Sequence, residues 1–170
     1  MINKDIIQRL VAREGGFVNH PYDRGGPTKY GITLVTLSNY RDKDVTIEDV
    51  RNLELDEAIN IYNDLYWVKS RFTTLDINSH IAEFLFDSAI HHGVYRATIF
   101  LQRSVNVTED GIIGPITRNA VINTNKRELL INLLQQRIKF FGSIVVRDSS
   151  QLVFLHGWLN RMDEFFDMLR

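Results

Sequence analysis

The segment IAEFLFDSAIHHG, Ile81 to Gly93, is apolar almost all round, with Ile81, Phe84, Leu85, Phe86, Ala89 and Ile90 spread over its circumference. A helix of that pattern must be surrounded by other elements, so the segment predicts a buried central helix. Gly93 supplies its stop. The flanking sequence offers helices to surround it. On the C-terminal side come a helix from about Arg96 to Ser104, the turn-rich loop EDGIIGPIT, helices from Pro115 and from Lys126, and a last one from about Gln151 to Leu169. On the N-terminal side, residues 56 to 68 follow Leu55 with Ile59, Tyr62 and Tyr66 at helical spacing and Asp56 as opener, and residues 46 to 52 are opened by Thr46. Strand signals are confined to short alternation around Tyr30 to Thr33. The expected fold is mainly α, with at most a small β-hairpin.

A chain of 170 residues is long enough for one compact domain or two small ones, burying roughly 70% of its unfolded surface. It has no cysteine, which excludes disulfides and Cys-rich zinc sites. Three prolines, 44% hydrophobic and 24% charged residues describe an ordered globular protein. The formal net charge of -1 lacks the basic excess of nucleic-acid binders, so no nucleic-acid partner is expected. Residues 1–85 hold 10 basic and 13 acidic groups and residues 86–170 hold 10 and 8, a contrast that scattered solvated charge explains. The opening residues hold no apolar run of signal-peptide length, and no segment approaches the ~20 residues of a membrane span. A cytoplasmic start, no stable membrane association and a monomer are the expectations.

The first segment places its chemistry at a helix end. Taking about 100° per residue from Ile6, Ile7 falls at about 100°, Leu10 at about 40° and Val11 at about 140°, while Glu14 falls at about 80°, in the middle of the apolar stripe. Asn3 suits the N-cap, and Gly15 or Gly16 the left-handed terminator. Desolvation and the negative end of the helix dipole both favour the protonated form of such a carboxyl, which is what a general acid needs. Alternatively, Glu14 reaches out to water or pairs with Arg13 or Arg24. The stretch EGGFVNHPYDRGGPTKYGIT, Glu14 to Thr33, then brings Asp23, Gly25, Gly26, Thr28 and Tyr30. Its glycines permit tight turns that return a second carboxylate and a hydroxyl toward Glu14, an arrangement suited to glycosidic cleavage. Asp23 and Thr28 equally suit turn roles.

This stretch resembles the signature of the glycoside hydrolase 108 family of phage and bacterial N-acetylmuramidases, in which the Glu of the Glu-Gly-Gly motif is the catalytic acid. IYNDLYW, Ile61 to Trp67, and FDSAIHHG, Phe86 to Gly93, resemble the family's next blocks; LQRSVNV, DGIIGPIT and HGWLNRM resemble the small peptidoglycan-binding module that follows. The resemblance covers nearly the whole chain. It implies a lysozyme-like helical fold with a catalytic part at 1–93 and a peptidoglycan-binding part at 94–170. It also implies cleavage between N-acetylmuramic acid and N-acetylglucosamine in bacterial peptidoglycan, with no metal and no cofactor. A phage endolysin is implied, held in the host cytoplasm until a holin-type lesion releases it to the wall. The spacing of Glu14, Asp23 and Thr28 is similar to the Glu, Asp, Thr set of small phage lysozymes, with the last interval one residue shorter. His91 and His92 stand where relatives are expected to read Asn-Ser; they either line the cleft or cap the helix end, the cap or surface reading being preferred.

Tyr30, Tyr62, Tyr66 and Trp67 offer flat faces for sugar rings, and His91 joins them as a substrate-binding candidate, although two or more of the aromatics are expected in the core. Trp158 with Phe154, Met162, Phe165 and Phe166 reads as packing of the last helix. Arg96, Arg103, Arg118 and Arg161 could meet stem-peptide carboxylates, surface solvation being the plainer reading. Two rivals stand beside the glycosidase. One is a zinc peptidase built on His80, Asp87 and His156; the other is a wall-binding module without catalysis.

Overall fold

In the computed structural model, which describes residues 4–13, 15–19 and 26–170, the chain packs as two units, residues 1–69 and 70–170. The described residues form nine α-helices and one two-stranded antiparallel sheet, so the mainly α reading with a small hairpin holds.

In the first unit, α1 (Lys4–Arg13) buries Ile6, Ile7, Leu10 and Val11, the stripe read from the sequence. Gly15 stands at φ 87°, a left-handed stop just past the helix. β1 (Thr28–Lys29) and β2 (Ile32–Thr33) pair through the two-residue turn Tyr30-Gly31. Both turn residues have positive φ, 52° and 72°, the type I′ geometry whose twist matches a hairpin. α2 (Leu34–Arg41) follows at once. Its start is fixed by Thr33, whose hydroxyl accepts from the Thr36 N–H at 3.1 Å. α3 (Ile47–Arg51) begins where Thr46 predicts, with a complete capping box between Thr46 and Asp49.

α4 (Leu55–Tyr62) buries Ala58, Ile59, Ile61 and Tyr62 and packs on α1. It does not run unbroken to 68 as expected. From Asn63 to Val68 the backbone is π-helical, a distortion that often marks functional segments. The Arg41 guanidinium ties α2 to its neighbours, donating to both Glu57 oxygens at 2.8 and 2.7 Å and to Asp49 at 3.3 Å.

In the second unit, α5 (Ser79–His92) is capped by Asn78 and buries every residue from Ile81 to Ala89, as its composition requires. Gly93, at φ 81°, turns the chain straight into α6 (Val94–Ser104). After the turn-rich loop come α7 (Pro115–Asn123), with its proline in the first turn, α8 (Lys126–Arg147), capped by Asn125, and α9 (Leu152–Asp167). α8 corrects one expectation: by length and composition it is long and apolar enough to cross a membrane. Leu129, Leu130, Leu133, Leu134 and Phe141 are nonetheless buried where α8 packs on α5, α6 and α9. Met162 and Phe165 are the buried residues of α9, and Trp158 stacks on Phe141 and Phe154, in keeping with a packing role, but Phe154 and Phe166 are exposed and do not pack the helix down.

Candidate functional site

The hairpin lies against the described residues that follow α1. Val18 and Thr28 exchange both backbone hydrogen bonds, at 2.8 and 2.9 Å, and the Tyr30 N–H donates to the Gly15 carbonyl at 3.1 Å. Thr28 and Tyr30 are thereby brought beside the residues that follow Glu14 in the chain. Glu14 and Asp23 lie outside the described residues. From beneath, the Tyr62 hydroxyl donates to the Tyr30 carbonyl at 2.9 Å, and the Tyr62 and Tyr66 rings lie 5.4 Å apart at 31°.

The four aromatic candidates divide by exposure. Tyr62 and Trp67 are 3% and 2% exposed, whereas Tyr30 and Tyr66 are half-buried and keep accessible surface. Two cations that the sequence reading did not single out complete the hairpin's surroundings. Lys29 donates to the Arg51 carbonyl at 2.9 Å and lies 5.4 Å from the Tyr30 ring centre, and the Arg51 guanidinium sits 4.3 Å over Phe17. No periodicity announces them; they are selected by the hairpin's register.

His91 belongs to the second unit. Its Nε2 lies 3.5 Å from Asp87 Oδ1, one turn back on α5, and the His92 ring packs edge-on against Phe100, Phe140 and Phe141. The helix ends instead on Gly93, whose N–H donates to the Ala89 carbonyl at 3.0 Å. Asp87 is 1% exposed and fully engaged: Oδ2 accepts from Arg137, and Oδ1 accepts two bonds from Arg161, at 2.9 and 2.7 Å. Burial works to raise its carboxyl, but the His91 hydrogen bond and the Arg137, His91 and Arg161 charges outweigh it and hold it well below the usual range. Two guanidinium groups thus already hold the carboxylate on which the peptidase reading is built, and among the described residues no three His, Asp or Glu side chains are grouped to hold a metal ion. Beside this cluster a half-open cavity of about 610 Å³ is lined by both histidines, Arg137, Arg161 and the apolar surface of Phe140, Phe141 and Trp158.

The profile of the family described as glycosyl hydrolase 108 matches residues 7–93, and that of a predicted peptidoglycan domain matches residues 96–163. The chain belongs to the glycosyl hydrolase 108 family and is a peptidoglycan hydrolase. Among solved structures, it is similar to SagA of Brucella abortus, with 31% identity over 97% of this chain and 91% of that one and a TM-score of 0.77. Among curated proteins none matches.

Proposed function

We propose that the chain is an N-acetylmuramidase that cleaves the bond between N-acetylmuramic acid and N-acetylglucosamine, with Glu14 as the general acid. The observation that carries this reading is the return of the hairpin: the Gly15–Tyr30 and Val18–Thr28 hydrogen bonds set Thr28 and Tyr30 next to Gly15 and Val18, which follow Glu14 in the sequence. Glu14 protonates the leaving glycosidic oxygen. Asp23 stabilises the developing positive charge or orients water, and the Thr28 hydroxyl helps to hold that water. Tyr30 and Tyr66 flank the sugar. Carboxyl groups ~5 Å apart would allow a covalent, retaining route, and ~6.5 to 9.5 Å would admit a water and inversion. We further propose that the enzyme is a phage endolysin, released to the wall through a holin-type lesion. Lysis of expressing bacteria only after membrane permeabilisation supports that role, and lysis without any permeabiliser counts against it.

The experiment compares wild type and Glu14→Gln for reducing-sugar release and for pull-down on purified peptidoglycan. Loss of the transferable proton should lower cleavage by about 10² to 10⁴ while binding survives. Asp23→Asn should fall strongly without unfolding. A Gln variant that still cleaves removes Glu14 from the role, and a wild type that binds without cleaving establishes the binding module.

A further inference from the structure

The cavity of the second unit carries a charge that its own packing leaves uncompensated. Arg137 and Arg161 converge on a single carboxylate, Asp87, and no acidic side chain is among the residues that line the cavity itself. One positive charge therefore remains over. Arg137 is 1% exposed, yet its Nε has no hydrogen-bond partner, and His92 Nε2 in the same wall is likewise unpartnered. Buried polar atoms without partners are rare and costly, more so on a cation. An anion entering the cavity beside Arg161 would supply the missing charge.

We propose that this cavity binds a carboxylate of the peptidoglycan stem peptides. The inference rests on the peptidoglycan reading of the chain, and assigns to the second unit the part of the polymer it recognises. In the glycan strand the carboxyl of muramic acid is tied up in the amide to the stem, so the free carboxylates of peptidoglycan belong to its peptides. Guanidinium groups match a carboxylate as planar forks. Arg161, with 31% of its side chain exposed, is the fork a ligand reaches first, and Arg137 stands behind it. Phe140, Phe141 and Trp158, which also line the cavity, offer apolar surface for the short alkyl groups that flank a terminal peptide carboxylate. A volume of about 610 Å³ suits such a fragment, lying within the ~300–1,000 Å³ of small-ligand sites.

The test titrates the full chain by calorimetry with acetyl-D-alanyl-D-alanine, with its C-terminal amide and with inorganic phosphate. In parallel it compares retention on intact sacculi and on sacculi whose carboxylates have been converted chemically to amides. The acid should bind about tenfold or more tighter than the amide, as expected for charge-assisted hydrogen bonds, and amidated sacculi should be held more weakly than intact ones. Arg161→Gln should lose a similar factor, with Arg161→Lys in between because it keeps the charge and loses the fork. The acid-against-amide comparison uses wild type alone, so it stands even if a variant misfolds. Equal affinity for acid and amide, or equal retention of amidated sacculi, overturns the site. Displacement of the dipeptide by phosphate at equal concentration overturns it in favour of a phosphate-bearing polymer. A wild type that selects the acid without cleaving glycan supports this site while defeating the muramidase reading; cleavage without acid selectivity does the reverse.

Discussion

Tyr30 holds a backbone conformation that its side chain disfavours. At φ 52° a non-glycine residue sits in the left-handed region, at a cost of roughly 1–2 kcal/mol, and it stays there because neighbours over-determine it. Its N–H is bound to Gly15 and its carbonyl to the Tyr62 hydroxyl, so one residue joins α1, the hairpin and α4. Burial of Tyr62 thus has a use other than stacking on sugar. Tyr62→Phe keeps the ring packing and removes only the donor, and should cost about 1 kcal/mol, visible as a fall of a few degrees in the melting temperature. If the hairpin positions Thr28 and Tyr30 for the reaction, glycan cleavage should fall more steeply than this loss of stability explains. Unchanged cleavage in a destabilised variant would confine the Tyr62–Tyr30 bond to a structural role.

The loop between α6 and α7 is built on one side chain. Gln102, 1% exposed, donates to Asp110 at 2.6 Å and to the Ile112 carbonyl at 3.1 Å, and accepts from the Gly111 N–H at 2.9 Å. Gly111, at φ 74°, has the Tyr95 ring where a Cβ would stand, so no other residue fits the turn without displacing that ring. Gln102→Ala leaves these groups without their partner and opens a void, and should destabilise the chain by about 2–4 kcal/mol in chemical denaturation. A change below about 1 kcal/mol would show that the loop holds itself. The sequence announces this loop by its glycines and proline and announces α5 by its all-round apolar surface, because both signals are local. α2 is silent, since only Leu37 is buried and no stripe forms, and the π-helical turn after Tyr62 has no local signature. Arg137 was legible in principle. Leu130, Leu133, Leu134 and Phe141 draw a stripe on α8 with Arg137 inside it, the same pattern of a charge centred on apolar surface that singles out Glu14. What no local pattern contains is the partner, Asp87, fifty residues away.

Two titrating groups of the second unit, His92 and Asp87, give a stability that depends on pH in two windows. His92 is pushed down to about 3, chiefly by burial and then by the charge of Arg137, so it is neutral in the folded chain near neutrality. Between about 3 and its ordinary value of about 6.5, the unfolded chain takes up a proton that the folded chain refuses. Stability from this group is therefore complete above about pH 6.5 and declines as pH falls toward 3, by at most about 1.4 kcal/mol per pH unit and less for a ring that keeps some contact with water. Asp87 has the opposite chemistry and the same direction. Its carboxyl is held below the usual range, so its contribution is present above about pH 4 and is lost only under stronger acid. Denaturant titrations of the full chain should thus show a plateau above about pH 7, a shallow decline through pH 5 and a steeper one below about 4. His92→Phe puts an apolar ring among Phe100, Phe140 and Phe141 and removes the first decline, leaving the second. A His92→Phe variant that still loses stability between pH 6.5 and 4.5 as steeply as wild type would mean that other groups carry the acid sensitivity and that His92 is not the buried neutral ring its surroundings require.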